Sequence, residues 1–101
     1  MRRRNGIDYG GIPKHMVDSI QRYIEMGASV GGFLTALLSN DLSLTFGRAD
    51  ETNRAAINGW VTFLWNEAPA GCWGSQEKVA AWQALGGRIG EMQERDERDT
   101  E

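Results

Sequence analysis

Hydrophobic residues recur at intervals of three and four along most of the chain, a spacing that places them on one face of an α-helix. The clearest example is the third predicted helical segment of the chain, with apolar positions at Ile57, Trp60, Val61, Leu64 and Trp65. Phe63 widens this stripe beyond the width that one neighbouring helix would cover. Because strand-like alternation and internal repeats are absent, the sequence predicts an all-α fold, a compact bundle of three to four helices. The wide stripe predicts a homo-oligomer.

Capping residues mark where these helices begin and end. Pro13 suits the first position of the first helix, and Gly27 is expected to end it. Asp50 is expected to cap the third segment through its side chain. Ser75 is expected to cap a fourth and shorter helix, which ends at Gly86.

The formal net charge of −3 is unevenly distributed. Three arginines at positions 2–4 form a basic head, whereas residues 91–101 carry six acidic and two basic side chains. Neither end has the apolar spacing that packing requires. We therefore predict a flexible basic arm over residues 1–11, a single helical domain over residues 12–87 and a flexible acidic tail over residues 88–101. Between the two ends the basic and acidic residues are nearly balanced in number, and this lack of a basic surface disfavours duplex nucleic acid as a partner.

Catalytic chemistry is not indicated. His15, the only histidine, has no partner at metal-ligand spacing, and Cys72, the only cysteine, lacks an activating motif. Cys72 is therefore interpreted as a small packed hydrophobic residue. The sequence predicts a protein that is not an enzyme and holds no metal or cofactor. A single cysteine and the lack of a membrane-length apolar run predict a soluble, intracellular protein with no membrane partner.

Two polar or aromatic segments are candidates for binding. Residues 48–54 begin a helix, and Arg48 and Arg54 could flank an anion, although a cap with solvated charges accounts for the same pattern. Residues 66–75 combine a proline, two glycines, the only thiol and Trp73, which is more than a plain connection needs.

The sequence assigns a position, core or surface, to only one of the four tryptophans. Trp60 is predicted to lie in the core, whereas Trp65, Trp73 and Trp82 remain open between packing and exposed stacking.

Seven short motifs between Ile12 and Leu85 carry a resemblance to a known group of proteins. They are Ile12-Pro13-x-His15-Met16, Arg22-Tyr23-Ile24-Glu25-x-Gly27, Gly32-Phe33-Leu34-Thr35-Ala36, Ser39-Asn40-Asp41-Leu42, Arg48-Ala49-Asp50-x-x-Asn53, Phe63-Leu64-Trp65-Asn66-Glu67-Ala68-Pro69 and Cys72-Trp73-Gly74-Ser75-x-Glu77-Lys78-Val79. Together they resemble a group of small tailed-phage proteins that is associated with the anti-CBASS cyclic-oligonucleotide sponges.

The resemblance implies a small helical protein, typically a homohexamer, that sequesters cyclic di- or trinucleotide immune signals without cleaving them. It places the protein in the cytoplasm of an infected bacterial host. It also implies a tyrosine that stacks on a base, a lysine that holds phosphate and a separate site for cyclic trinucleotides. We divide the expected stacking role between two tyrosines. Tyr23 lies on the apolar face of its helix, where its ring could serve as core or as stacking platform, and Tyr9, in glycine-rich surroundings, is expected to be freer to reach a neighbour's ligand. Lys14 and Lys78 are the lysine candidates.

Arg48 and Arg54 are assigned to phosphate, and the turn from Pro69 to Ser75 to the wall of a second pocket. The full set of candidate ligand-binding residues is Tyr9, Lys14, Tyr23, Arg48, Asn53, Arg54, Pro69, Cys72, Trp73, Ser75 and Lys78. Two other classes remain open. One is a protein-binding inhibitor or adaptor that acts on a host protein through an aromatic helical surface, and the other is a structural oligomer without a ligand.

Overall fold

The computed structural model describes residues 6–99, with side chains described through residue 96. Over these residues the chain forms seven α-helices, one short 3-10 helix and no β-strand, which confirms the all-α, compact fold. The helices are α1 (Lys14–Met26), α2 (Gly32–Leu38), α3 (Leu42–Arg48), α4 (Glu51–Ala55), α5 (Ile57–Asn66), the 3-10 helix (Ala70–Cys72), α6 (Gln76–Leu85) and α7 (Gly87–Asp99).

The helix count exceeds the predicted three to four because capping groups divide the longer segments. Asp41 accepts a hydrogen bond from the Leu44 backbone N–H at 3.1 Å, and this cap starts α3 directly after α2. Asp50 caps α4 in the same way, as predicted, with the Asn53 N–H at 2.7 Å. Ala56 lies between α4 and α5 and belongs to neither helix.

The core is built from the apolar faces of α1, α2, α5 and α6 around two tryptophans. Trp60 is fully buried, as predicted, and packs edge-on against Phe33 and Phe63. Its indole N–H donates to the Asn53 side-chain oxygen at 3.1 Å. Trp82 is also buried, and its indole N–H donates to the last-turn carbonyls of α1, which joins α6 to α1.

The N-terminal segment corrects the predicted flexible arm. From residue 7 onward the chain packs on the core, because Ile7, Tyr9 and Ile12 are buried against α5 and its neighbours. A Cβ on Gly59 of α5 would overlap the carbonyl oxygen of Gly11, so the segment crosses α5 at a distance that only glycine permits. Residues 1–5 of the predicted arm lie outside the described residues.

The C-terminal segment corrects the predicted flexible tail. Residues 87–99 form helix α7, which packs against α1 and α6. Gly86 ends α6 in the left-handed conformation, as predicted, and Gly87 (φ 69°) starts the next helix at once. A Cβ on Gly87 would lie 2.6 Å from the backbone at the C-terminal end of α1. This close approach fixes α7 to α1, and residues 100–101 lie outside the described residues.

Within the described residues, none of the helices combines the length and the apolar character needed to cross a membrane.

Candidate ligand-binding groove

Tyr23 is a core residue, which corrects its predicted stacking role. Its side chain is 0% exposed, and its hydroxyl donates to the Cys72 carbonyl oxygen at 2.7 Å. Burial raises the pKa of Tyr23 above its ordinary value, with a smaller contribution from Cys72. Without an accessible face the ring cannot stack on a base.

Tyr9 is likewise unable to reach a ligand. Its side chain is 7% exposed, and its ring lies 5.4 Å from the ring of Phe63 on α5. The predicted freedom of Tyr9 rested on its glycine-rich surroundings. In the structure those glycines bring the segment onto α5 instead, which buries the ring.

The polar residues at the start of α4 have local structural roles. Asn53 is buried and holds the Trp60 indole, so its amide is committed to the core. Arg54 is exposed and donates to the Ala49 carbonyl oxygen at 3.2 Å. Arg48 is exposed and lies against Gly32, where its guanidinium would be 3.0 Å from an added Cβ.

Lys14 lies exposed in the first turn of α1. Neither it nor either arginine lines the groove described below. Their predicted phosphate contacts stay predictions.

The turn between α5 and α6 is held in place by backbone hydrogen bonds. Pro69 precedes the 3-10 helix, and its carbonyl accepts from the Cys72 N–H at 3.0 Å. Gly74 donates to the Leu38 carbonyl at 2.7 Å and so ties the turn to α2. Ser75 caps α6, as predicted, through its hydroxyl.

Cys72 is the buried anchor of this turn. Its side chain is fully buried, and burial raises its pKa to about 12. The thiol therefore stays protonated at neutral pH, in agreement with its interpretation as a packed hydrophobic residue.

The same turn forms one wall of an open groove of about 500 Å³, here called the tryptophan groove. Its lining residues are Asn40, Leu64, Trp65, Ala68, Ala70, Trp73, Gly74 and Lys78.

Trp65, at the end of α5, is 74% exposed, and its ring lies 5.2 Å from the ring of Trp73 at an angle of 80°. Lys78 extends over Gly74, so that its ammonium would lie 3.6 Å from a Cβ at that position. The groove thus combines two indoles with the positive charge of Lys78.

A second cavity of about 170 Å³ adjoins the first and shares Trp65 and Trp73 with it. It lies between α3 and α5, and no charged residue lines it. Leu42 at its rim is 72% exposed, and Phe46 and Val61 are also exposed. We call this surface the apolar groove.

The structure thus brings together only part of the predicted set. Trp73 and Lys78 line the tryptophan groove, together with Ala70 and Gly74 of the same turn, whereas Pro69, Cys72 and Ser75 are not among its lining residues. Trp65 was absent from the predicted set. The sequence signal for it was its place on the apolar stripe of α5; Phe63, which widens that stripe, is buried in the chain's own core.

Among the described residues there is no group of three or more histidine, cysteine or carboxylate side chains that could hold a metal ion. Comparison of the chain with models of protein families, with curated proteins and with solved structures finds no match.

Proposed function

We propose that the protein sequesters a cyclic di- or trinucleotide by stacking a base on Trp65 and contacting phosphate with Lys78, without cleaving it. The observation that carries this proposal is the presence of a 74% exposed indole and a lysine in one groove. Exposed indoles are favourable stacking surfaces for any base, and an ammonium is a suitable partner for phosphate.

The charge of the tryptophan groove favours an anionic ligand. Lys78 is the only charged residue among the lining residues, and it makes no ion pair with any described residue. A volume of about 500 Å³ lies within the usual range for small-molecule sites, roughly 300–1,000 Å³. An aromatic surface with one lysine therefore fits a ligand that carries both bases and phosphates.

The stacking contribution can be worked from the exposed ring. Covering on the order of 100 Å² of apolar indole surface contributes roughly 2–3 kcal/mol. This agrees with the roughly 1–3 kcal/mol that one base stack is worth. A charge-assisted phosphate contact adds about 1.5–3 kcal/mol. Two such sites related by a twofold axis would match the near-twofold symmetry of a cyclic dinucleotide.

The choice of cyclic nucleotides, and the role in phage evasion of host immunity, come from the sequence resemblance. We carry them over as part of the proposal, with the tyrosine stacking role transferred to Trp65. The proposed protein is a binding protein that removes a signal from the cytoplasm of an infected host, and it needs no catalytic group.

Calorimetric titration of the full-length protein against a panel of cyclic di- and trinucleotides tests the proposal. Trp65→Ala should weaken binding about fivefold to 150-fold, whereas Trp65→Phe should retain most of the affinity because a ring remains. Lys78→Gln should weaken binding and reduce its salt dependence. Leu44→Ala, on an exposed side chain outside both grooves, is the control.

If no member of the panel binds, or if Trp65→Ala binds as tightly as the unaltered protein, the assignment is wrong.

The apolar groove supports a homo-oligomer as part of the same proposal. Interface cores are depleted in charge and enriched in aromatic residues, and this surface has both properties. Hexameric assembly follows from the resemblance. Static light scattering should return a multiple of 11.2 kDa. Val61→Glu, an exposed position on this surface, should lower that mass.

The same surface keeps the second candidate function open, in which the protein is an inhibitor or adaptor that docks on a host protein. Exposed apolar side chains such as Leu42 favour it as much as they favour self-association. A monomer in light scattering, combined with a host protein that co-purifies at fixed stoichiometry and is lost in Val61→Glu, would favour the inhibitor.

A further inference from the structure

Asn40 lies where the tryptophan groove meets the apolar groove, and it lines both of them. Its side chain is exposed and makes no hydrogen bond within the described part of the chain. The other polar side-chain groups that line the tryptophan groove are the indole N–H groups of Trp65 and Trp73 and the ammonium of Lys78. Because those three groups only donate, the Asn40 amide is the only side-chain acceptor that the described residues bring to this groove.

The backbone at Asn40 is fixed by the end of α2. Its N–H donates to the Leu37 carbonyl oxygen at 3.1 Å, and the Asp41 N–H donates to the Ala36 carbonyl oxygen at 2.9 Å. This pair of bonds is the Schellman arrangement that ends a helix, and it holds Asn40 in the left-handed conformation, with a φ of 64°. Glycine is the usual residue at such a position and asparagine is also found there, so the backbone conformation does not require the amide.

An amide beside a stacked base can pair with the edge of that base. Adenine presents its 6-amino donor next to an acceptor nitrogen on two edges, with N7 on one side and N1 on the other. An amide can therefore make two hydrogen bonds to either edge. Guanine presents only acceptors, O6 and N7, on the first of these edges, so an amide pairs twice only with its N1 side. A single amide in the groove thus favours adenine.

We propose that Asn40 determines the base specificity of the tryptophan groove by pairing with the edge of an adenine that stacks on Trp65. This inference rests on the proposed function and names the ligand class within it, an adenine-containing cyclic dinucleotide. Stacking on Trp65 and phosphate contact with Lys78 are available to every base, so they supply affinity without selection. The Asn40 amide supplies the contact that depends on which base is present.

The probes are cyclic diadenylate, cyclic diguanylate and a cyclic diadenylate in which both 6-amino groups are dimethylated. The dimethylated analogue keeps the rings and the phosphates but has no 6-amino hydrogen to donate. In calorimetric titration of the full-length protein, cyclic diguanylate and the analogue should each bind at least about fivefold more weakly than cyclic diadenylate. Fivefold is the low end of what a bidentate contact to a base is worth, as expected in a groove open to water.

Asn40→Gly removes the amide and keeps a residue that the left-handed conformation favours, so folding is preserved. It should bind cyclic diadenylate about fivefold more weakly and should no longer distinguish it from the dimethylated analogue. Asn40→Asp, which this conformation also tolerates, should shift the preference toward guanine, because a carboxylate accepts from the N1–H and the 2-amino group together. Asn58→Ala removes an exposed asparagine of α5 outside both grooves, and this matched control should leave all three affinities unchanged.

The specificity assignment is overturned if cyclic diadenylate does not bind, or if cyclic diguanylate or the dimethylated analogue binds equally well. It is also overturned if Asn40→Gly keeps the preference of the unaltered protein. The proposed function fails on separate results, when no member of the wider panel binds or when Trp65→Ala binds as tightly as the unaltered protein. Binding that depends on Trp65 but not on Asn40 would therefore refute the specificity assignment alone.

Discussion

Replacing Tyr23 by phenylalanine tests the assignment of this residue to the core. The change removes one hydroxyl and keeps the ring, so packing is preserved. In the structure that hydroxyl donates at 2.7 Å to the Cys72 carbonyl, and both groups are buried. The variant would leave the carbonyl without its donor in a place that water does not reach. An exposed stacking tyrosine would show no such dependence on its hydroxyl.

The magnitude follows from the unsatisfied carbonyl. Leaving a buried acceptor unpaired costs about 1–3 kcal/mol, partly offset because the phenylalanine no longer buries a hydroxyl. At roughly 2 cal/mol/K of unfolding entropy per residue, a chain of 101 residues changes its melting temperature by about 5 °C per kcal/mol. We therefore expect the melting temperature of Tyr23→Phe to fall by about 5–15 °C.

Urea and thermal unfolding, both followed by circular dichroism at fixed protein concentration, measure the effect. Ser43→Ala is the matched control because it removes an exposed hydroxyl from α3 and should stay within about 0.5 kcal/mol. If Tyr23→Phe changes the free energy of unfolding by less than about 0.5 kcal/mol, the hydrogen bond is refuted as a source of stability. It would also reopen the question of what the hydroxyl contacts.

Three further predictions concern the elements around the grooves. The Cys72 pKa is raised from 9.0 to about 12 in the folded protein. The contribution of the protonated thiol to the free energy of unfolding is therefore complete below pH 9. It is lost as the pH rises toward 12, by up to about 1.4 kcal/mol per pH unit. In a series of unfolding titrations at different pH values, Cys72→Ala should reduce the slope of the free energy of unfolding against pH between pH 9 and 12. An unchanged slope would contradict this prediction. Ser75→Ala should lower the free energy of unfolding by about 1 kcal/mol through loss of the α6 cap, and equal stability would show that another group replaces it. Gly87→Ala should destabilise by more than 1 kcal/mol and expose α7 to limited proteolysis, because of its positive φ and the close α1 backbone. Gly47→Ala, in an open helical position, should instead stabilise by about 0.5–1 kcal/mol.

The ends of several helices could be read from the sequence alone. Gly27 ends α1, Asp50 caps α4 and Ser75 caps α6, each at the position expected. These features depend on hydrogen bonds between a residue and neighbours two to four positions away. Local chemistry is sufficient to fix them, and the helical period of the apolar residues fixes the all-α class for the same reason.

The candidate site could be predicted only in part. Trp73 was a candidate because it lies in an unusual turn, and Lys78 because the resemblance implies a lysine; the structure places both in the tryptophan groove. Tyr23 and Trp65 were misjudged or left open, although each occupies an apolar position on its helix. Periodicity shows which face of a helix is apolar, but it does not show how much of that face another element will cover.

Tertiary packing decided how much of each apolar helix face is covered by other elements. α1 lies under the 66–75 turn, so Tyr23 is enclosed and bonded to Cys72. Trp65, in the last turn of α5, is left 74% exposed. Packing also made a helix of the acidic C-terminal segment by giving it a glycine-mediated contact with α1. The sequence by itself determined the helices and their caps, because those depend on short-range hydrogen bonds. Only the tertiary structure decided which aromatic rings face solvent, because that depends on contacts between residues far apart in the chain.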